Sequence, residues 1–531
     1  MKLKPALKSL LGELPLAAEA YWQIRQSGKP LSKSFSMRRT RQRLPDWRAA
    51  VQAARRGTAV DGKRVVIFAT LRYWIEHATL LGMAISGLGH EPTLAYLPYA
   101  NWRTPLNRFD LRRHNAYARS VLCGAEPFLK SISLLDVPAN GGELPQSLVE
   151  AIRDVSVRDV QYTLQVEEVD LKGELYRLRL ERNLGAARAA LTWMTANLPD
   201  VVLTPNGSIL EMGAVYTVSR FLGIPVVTYE FGEQRGRIWL AQNAEVMLQD
   251  TDALWQKRMD TTLTEAQREQ VRLLYASRQR ADLWQNFSRR WQGQAGTGGE
   301  RARADLGLDE RPIALLPANV IGDSLTLGRQ VFSESMTEWL LRTVEFFASQ
   351  PQTQLVVRIH PGERYTKGPS VAELIRGAFH EKTLPENIHL VGADDPVNTY
   401  DLVEIADMGL VYTTTVGLEM AMSGAPVIVA GQTHYRNKGF SLDPASWEAY
   451  FQMLEMVLKE PEKFRLSKGQ VEQAWAYAYR FFFEYPRPFP WHLLHFWNEL
   501  ESWSMGRVLS AEGQAAFGET FRYLLGEPVK W

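Results

Sequence analysis

Short apolar runs alternate with helix-spaced segments through most of this chain. Arg64–Thr70, RVVIFAT, is a β-branched run and predicts a strand. Residues 73–88 follow with helical spacing and close on Gly89. Pro92–Pro98, PTLAYLP, predicts a second strand. A long helical stretch over Glu174–Asn197 precedes Asp200–Pro205, DVVLTP; a helix near Ser208–Leu222 then leads through Gly223 to Pro225–Glu230, PVVTYE. The alternation resumes with strands predicted at Pro312–Pro317, Gln354–His360, Asn387–Gly392, Met408–Tyr412 and Pro426–Gly431. Helices are predicted between them at 336–349, 370–380, 397–406 and 416–422. Such alternation implies a mostly parallel sheet covered on both faces. It occurs twice, so the expected fold is α/β, with two doubly wound Rossmann-type domains facing a cleft.

The interruptions set the expected boundaries. Residues 1–62 read as a basic, partly helical N-terminal arm, 63–290 as the first Rossmann-like domain, and 306–470 as the second. Residues 291–305 read as a linker, because Gly293–Glu300, GQAGTGGE, is glycine-rich and follows no strand, which argues against a phosphate loop. Residues 471–531 read as a helical C-terminal segment rich in aromatic residues, densest at Trp475–Trp497.

Charge changes this picture at one end only. The 531 residues carry 61 basic and 59 acidic side chains, a net +2, which gives no reason to expect nucleic acid. Residues 1–64 alone hold 15 Lys/Arg and 4 Asp/Glu, a net +11, which leaves −9 for the rest. The run Met37–Arg43 lies beside apolar helical text (Leu10, Leu11, Leu14, Leu16, Trp22, Ile24). Two readings stay open for residues 1–45: a surface that lies on an anionic membrane, or a cap on the first domain. The single cysteine, Cys123, excludes an internal disulfide framework and fits a reducing compartment. No signal peptide and no charge-free run of about 18 apolar residues is present, so the expectation is a cytoplasmic chain, peripheral at most to the membrane.

Candidate chemistry gathers at the ends of the later strands, where ligands bind in doubly wound sheets. His360 ends QLVVRIH beside Arg358, and Pro361 biases it towards an extended conformation. It could hold a phosphate oxygen or satisfy a turn. Thr413, Thr414 and Thr415 lie between the strand ending at Tyr412 and the next helix, where hydroxyls and backbone N–H groups suit a phosphate; they also suit ordinary capping. Glu419, about one turn further on, could accept from ribose hydroxyls. Asn319, Gly322 and Asp323 follow the first strand of this half, with Gly322 permitting close backbone approach. His434, Tyr435 and Lys438 follow the last, as further substrate-binding candidates.

In the first half, TYEFGEQRGR (Thr228–Arg237) offers Glu230 and Glu233 as a catalytic base, with Arg235 and Arg237 for a phosphate or a sugar carboxylate. Gly232 and Gly236 would let that loop approach a ligand. PNGSILE (Pro205–Glu211) adds Asn206 and Glu211. Asp250-Thr251-Asp252 has a metal-binding spacing but reads as a helix start. No other spacing suggests a metal, and Cys123 has no partner that would make it a nucleophile.

LPANVIGDSLTLG, FSESMTEWL, LVVRIHPGE, NTYDLVEIADMGLVYTTTVGLEMAMSGAPVIVAG and HYRNKGF resemble the bacterial capsule polysaccharide biosynthesis proteins over roughly Pro312–Tyr450. TPNGSILEMG and TYEFGEQRG are a weaker echo. Those proteins are GT-B-type glycosyltransferases related to the transferases that use CMP-activated Kdo. The resemblance implies transfer of a sugar from a nucleotide-sugar co-substrate, without another cofactor, to a polysaccharide or lipid-linked glycan. It places His360 on the donor phosphate, and Thr413–Thr415 and Glu419 on phosphate and ribose. Threonines stand here where the family commonly has a serine. Two other readings remain on the same architecture: a nucleotide-sugar epimerase or polyol-phosphate transferase, and a non-catalytic nucleotide-sugar-binding scaffold.

Overall fold

The computed structural model describes residues 5–531 except 57–61, 139–142, 286, 288–291, 367 and 380–382. Residues 1–4 and 57–61 of the basic arm, residue 291 of the expected linker and residue 380 of the expected 370–380 helix therefore lie outside the described residues. The chain divides into two compact units. The first comprises residues 1–159, 170–247 and 487–530; the second comprises 160–169, 248–486 and Trp531.

The first unit holds a seven-stranded sheet. Its strands are β1 Arg64–Thr70, β2 Glu91–Leu97, β3 Lys130–Ser133, β4 Val201–Pro205, β5 Val226–Glu230, β6 Arg237–Gln242 and, from the far end of the chain, Arg487–Pro488. They lie in the order Arg487–Pro488, β6, β5, β4, β1, β2, β3. Pairing is parallel from β5 to β3, with β1 in register from Arg64↔Glu91 to Thr70↔Leu97. β6 adds antiparallel, and Arg487–Pro488 pairs antiparallel with it. β1 and β4 are buried on both faces, which explains their continuous apolar text. Among the helices, Arg72–Gly87 is buried over most of its surface, while Glu174–Asn197 spans the range expected.

The expected basic arm is built into this unit. Helices Pro5–Glu13 and Ala17–Arg25 pack on Arg108–Leu122, and Arg38–Arg55 packs on Arg72–Gly87. Trp22, Phe35, Leu44, Trp47 and Val51 join the core, which anchors the arm by apolar burial. Leu10, Leu16 and Ile24 remain 62%, 73% and 75% exposed.

The second unit holds a five-stranded, all-parallel sheet of β7 Ile313–Pro317, β8 Gln354–Arg358, β9 Ile388–Val391, β10 Met408–Val411 and β11 Val427–Val429, in the order β11-β10-β7-β8-β9. β7 pairs with β8 from Ile313↔Gln354 to Pro317↔Arg358. Ser335 caps helix Met336–Ala348, and Ser370 with Glu373 forms a capping box on Val371–Ala378.

The glycine-rich stretch expected as a linker lies inside this unit. Residues Gly299–Asp305 form a helix packed on Thr399–Ile405. A Cβ on Gly299 would lie 2.5 Å from Ile405, and one on Gly296 would lie 2.6 Å from Asp401. The glycines serve close packing here, and Asp401 accepts from the Thr297 N–H at 2.8 Å. The chain passes between the units at 159–160, 169–170, 247–248, 486–487 and 530–531, so the aromatic C-terminal segment is split between them.

Candidate functional site

In the first sheet the chain leaves β1 towards β2 and β3 on one side and places β4 and β5 on the other. The switch point therefore lies between β1 and β4. Backbone strain collects there. Leu71, just past β1, has φ 63°; Asn206, just past β4, has φ 58°; and Leu210 has φ 56°. Positive φ is costly for leucine and mildly so for asparagine. Gly207 has φ 86°, and a Cβ there would lie 2.5 Å from Thr228, so only glycine fits.

Asn206 uses this turn to organise the edge. Its Oδ1 accepts from the Ser208 N–H at 3.1 Å and hydroxyl at 2.6 Å, and its Nδ2 donates to Glu230 at 3.3 Å. The other Glu230 oxygen accepts from the Phe231 N–H at 3.0 Å. Burial pushes the Glu230 carboxyl above the ordinary range, against both hydrogen bonds. Burial, and then the nearby Glu230 charge, push the Tyr73 phenol up as well.

The loop after β5 is held from within the unit. His492 bonds the Gly232 carbonyl at 3.1 Å, and a Cβ on Gly232 would lie 3.0 Å from Trp239. Phe489 N–H donates to the Gly236 carbonyl at 2.8 Å. The close approaches of these glycines are thus made to protein groups. Glu233 is half-buried, Arg235 is exposed, and Arg237 begins β6 half-buried. Glu211 is structural: it lies buried with Arg179, which donates to it at 2.9 Å and also pairs with Asp159. His77 and His492 were not legible as site neighbours in the sequence. Burial lowers both to about 4.

In the second sheet β8 and β9 lie on one side of β7 and β10 and β11 on the other, so the switch point falls between β7 and β10. Asn319, past β7, accepts the Thr413 N–H at 3.2 Å, past β10, and links the two strand ends. The Thr413 hydroxyl is buried and has no hydrogen-bond partner among the described residues. Thr433 donates to the Thr413 carbonyl at 3.3 Å, and Tyr435 to the Thr414 carbonyl at 2.7 Å. The Thr414 hydroxyl accepts the Val416 N–H at 3.4 Å, and Thr415 precedes the helix Val416–Met422 without a side-chain cap. His360 is exposed past β8, and its Nδ1 accepts the Gly362 N–H at 2.9 Å, which leaves the proton of the neutral ring on Nε2.

Other residues proposed from the sequence are engaged elsewhere. Arg358 is buried; it donates to the Gly392 carbonyl and to Thr399 at 3.4 Å, and burial lowers its pKa to about 10. A Cβ on Gly322 would lie 2.5 Å from the Val166 nitrogen, so its close neighbour is the chain itself. Asp323 accepts the Leu325 N–H at 2.9 Å and closes a turn. Glu419 is buried in an ion pair with Arg278, a partner 141 residues away. Lys438 pairs with Asp252, and the Asp250 carboxylate accepts the Asp252 N–H at 2.9 Å at the start of helix Asp252–Arg258. Among the described residues no group of three or more His, Cys, Asp or Glu is placed to hold a metal ion.

Two Rossmann-type units, each with its switch point at the carboxyl ends of its strands, give this chain the GT-B architecture; the assignment rests on strand order and register. No protein-family model and no curated protein sequence matches it. Solved structures similar to it include the Thermosulfurimonas dismutans KpsC β-Kdo 2,4 transferase, at 16% identity over 55% of this chain and 82% of that one, TM-score 0.34. A glycosyltransferase from Rickettsia africae aligns at 9% identity over 88% and 100%, TM-score 0.28. The Neisseria meningitidis UDP-GlcNAc 2-epimerase bound to UDP-GlcNAc aligns at 12% over 80% and 99%, TM-score 0.25.

Proposed function

We propose that this protein is a glycosyltransferase that moves a sugar from a nucleotide-sugar donor to a surface polysaccharide or glycolipid. The observation that carries this reading is the buried, unpartnered Thr413 hydroxyl at the switch point of the second sheet, beside the Asn319 link. A buried hydroxyl without a partner is costly, and a ligand oxygen there would satisfy it. His360, with its proton on Nε2, is the donor on the neighbouring strand end for the leaving phosphate. Glu230 is the base that takes the acceptor proton, because burial has already brought its proton affinity above that of a solvent-exposed carboxylate. The reaction calls for no group beyond the co-substrate, and residues 1–45 are the part offered to an anionic membrane surface.

The test is a screen of UDP-, GDP- and CMP-sugars with polysaccharide and glycolipid acceptors. Sugar transfer supports the reading. Conversion of the donor sugar without an acceptor would replace it with an epimerase, and tight binding without turnover would replace it with a scaffold.

A further inference from the structure

A cavity of about 590 Å³ in the first unit is walled by three separated stretches of sequence. Arg38 and Arg39 come from the basic segment, Arg72 and Tyr73 from the first turn after β1, and Leu493, Leu494 and Trp497 from the aromatic C-terminal segment. Two features that the transfer reaction leaves unused, the N-terminal charge excess and the C-terminal apolar text, meet here.

The charge of the cavity is cationic. Its acidic lining residue, Glu76, is buried; it accepts from Arg72 at 2.7 Å and from the Thr40 hydroxyl at 2.9 Å. Arg72 is further held by the Ser34 carbonyl at 2.8 Å. Arg38 and Arg39 are exposed, and neither forms an ion pair with a described residue; Arg39 lies 5.9 Å from the Trp497 ring. Glu76 feels the Arg39 charge but is already bonded by Arg72 and Thr40, so two exposed guanidiniums outnumber the one buried carboxylate and form a site for an anion. The other wall is apolar, with Leu494 72% exposed beside them. The cavity also adjoins the strand-end crevice. Tyr73 packs on Trp74 at 6.1 Å, and Trp74 on Phe231 at 5.8 Å, next to Glu230.

We propose that this cavity binds one molecule of an anionic amphiphile, with its phosphate or carboxylate head on Arg38 and Arg39 and its apolar tail along Leu493, Leu494 and Trp497. Phosphate and carboxylate heads share the chemistry that a guanidinium recognises. The proposal goes beyond sugar transfer and does not depend on it, since binding requires neither donor nor turnover.

The test is calorimetric binding of short-chain probes kept monomeric, with the full-length protein. Dihexanoyl phosphatidic acid and octanoate carry the two heads, octyl glucoside carries a tail without charge, and inorganic phosphate carries charge without a tail. Saturable binding is expected for one or both anionic amphiphiles, and whichever binds identifies the head. The neutral and tail-less probes should bind about tenfold more weakly or worse. The double variant Arg38→Ala/Arg39→Ala should lose about tenfold, and Leu494→Asn about threefold. Arg48→Ala, exposed on the same helix but outside the cavity, should change nothing. Circular dichroism checks that each variant folds. No saturable binding, equal binding of inorganic phosphate, or an equal loss in Arg48→Ala overturns the proposal, whatever the outcome of the donor screen.

Discussion

Beside the switch point of the first sheet, at the end of β5, a carboxylate is held with its proton affinity raised by burial, whereas at that of the second the Asn319 amide is tied to Thr413, with the His360 imidazole on the next strand end. The two places are equivalent in topology. The first is bordered by leucines at positive φ and by a buried Arg179–Asp159–Glu211 cluster. The second is built around the buried Thr413 hydroxyl, which has no hydrogen-bond partner among the described residues. One edge is suited to moving a proton and the other to holding an anion. The same sheet topology thus acquires different chemistry from what its loops bury.

Four measurements test whether the two edges differ in this way. The largest effect is expected from Glu230→Gln, which should lower turnover by about 10²- to 10⁴-fold with donor affinity unchanged. The pH profile supplies a second readout. Because the Glu230 pKa is raised, the carboxylate fills at higher pH than in an ordinary glutamate, so the acid limb of kcat/KM should sit above that range and vanish in the variant. Loss of donor affinity instead would assign Glu230 to the donor.

Next comes Arg179→Met, which leaves Asp159 and Glu211 buried without their counter-charge. Urea unfolding should show a loss of about 3–5 kcal/mol. A change below about 1 kcal/mol would mean that the cluster is solvated and that the first crevice has no rigid frame.

His360→Ala should weaken donor binding by about tenfold, the worth of one hydrogen bond to a charged group, with the melting temperature unchanged because the residue is exposed. Unchanged affinity would remove the imidazole from the second site.

The smallest effect concerns Glu499, whose pKa burial raises to about 7 although it accepts the His492 N–H. Its folded pKa exceeds the ordinary 4.5, so the folded state binds the proton more tightly. The stability it contributes is complete below pH 4.5 and is lost as pH rises through about 7. Since the group is only half-buried, the change should be about 1 kcal/mol. Glu499→Gln should flatten it in melts between pH 4 and 8, and an identical slope would place the titration elsewhere.

Much of the frame was legible in the sequence because its central strands are buried on both faces. β1, β4 and β8 fall within their predicted runs, and helices Glu174–Asn197 and Val416–Met422 match them end to end. The edges were not legible. β3 has four residues, β6 is antiparallel with one partly exposed face, and Arg487–Pro488 has two residues, one of them a proline. None of these presents a continuous apolar run. The site was legible in part for a different reason. Asn319, Thr413 and His360 stand where a strand stops, which sequence shows, while the commitments of Glu419 to Arg278 and of Lys438 to Asp252 cross long stretches of chain. Gly322 illustrates the ambiguity of glycine: close approach was required, but by residues 165–166.

Arg487–Pro488 closes the β6 side of the first sheet, and residues 489–530 complete the same unit. On the ribosome, these residues leave the tunnel only after 248–486, the bulk of the second unit, has been made. The unit whose synthesis starts first is therefore completed only after the bulk of the second has been made, and β6 waits through the intervening synthesis with one edge uncovered. At roughly 5–20 residues per second, that interval lasts tens of seconds, during which the open edge of β6 is a template on which another strand could pair.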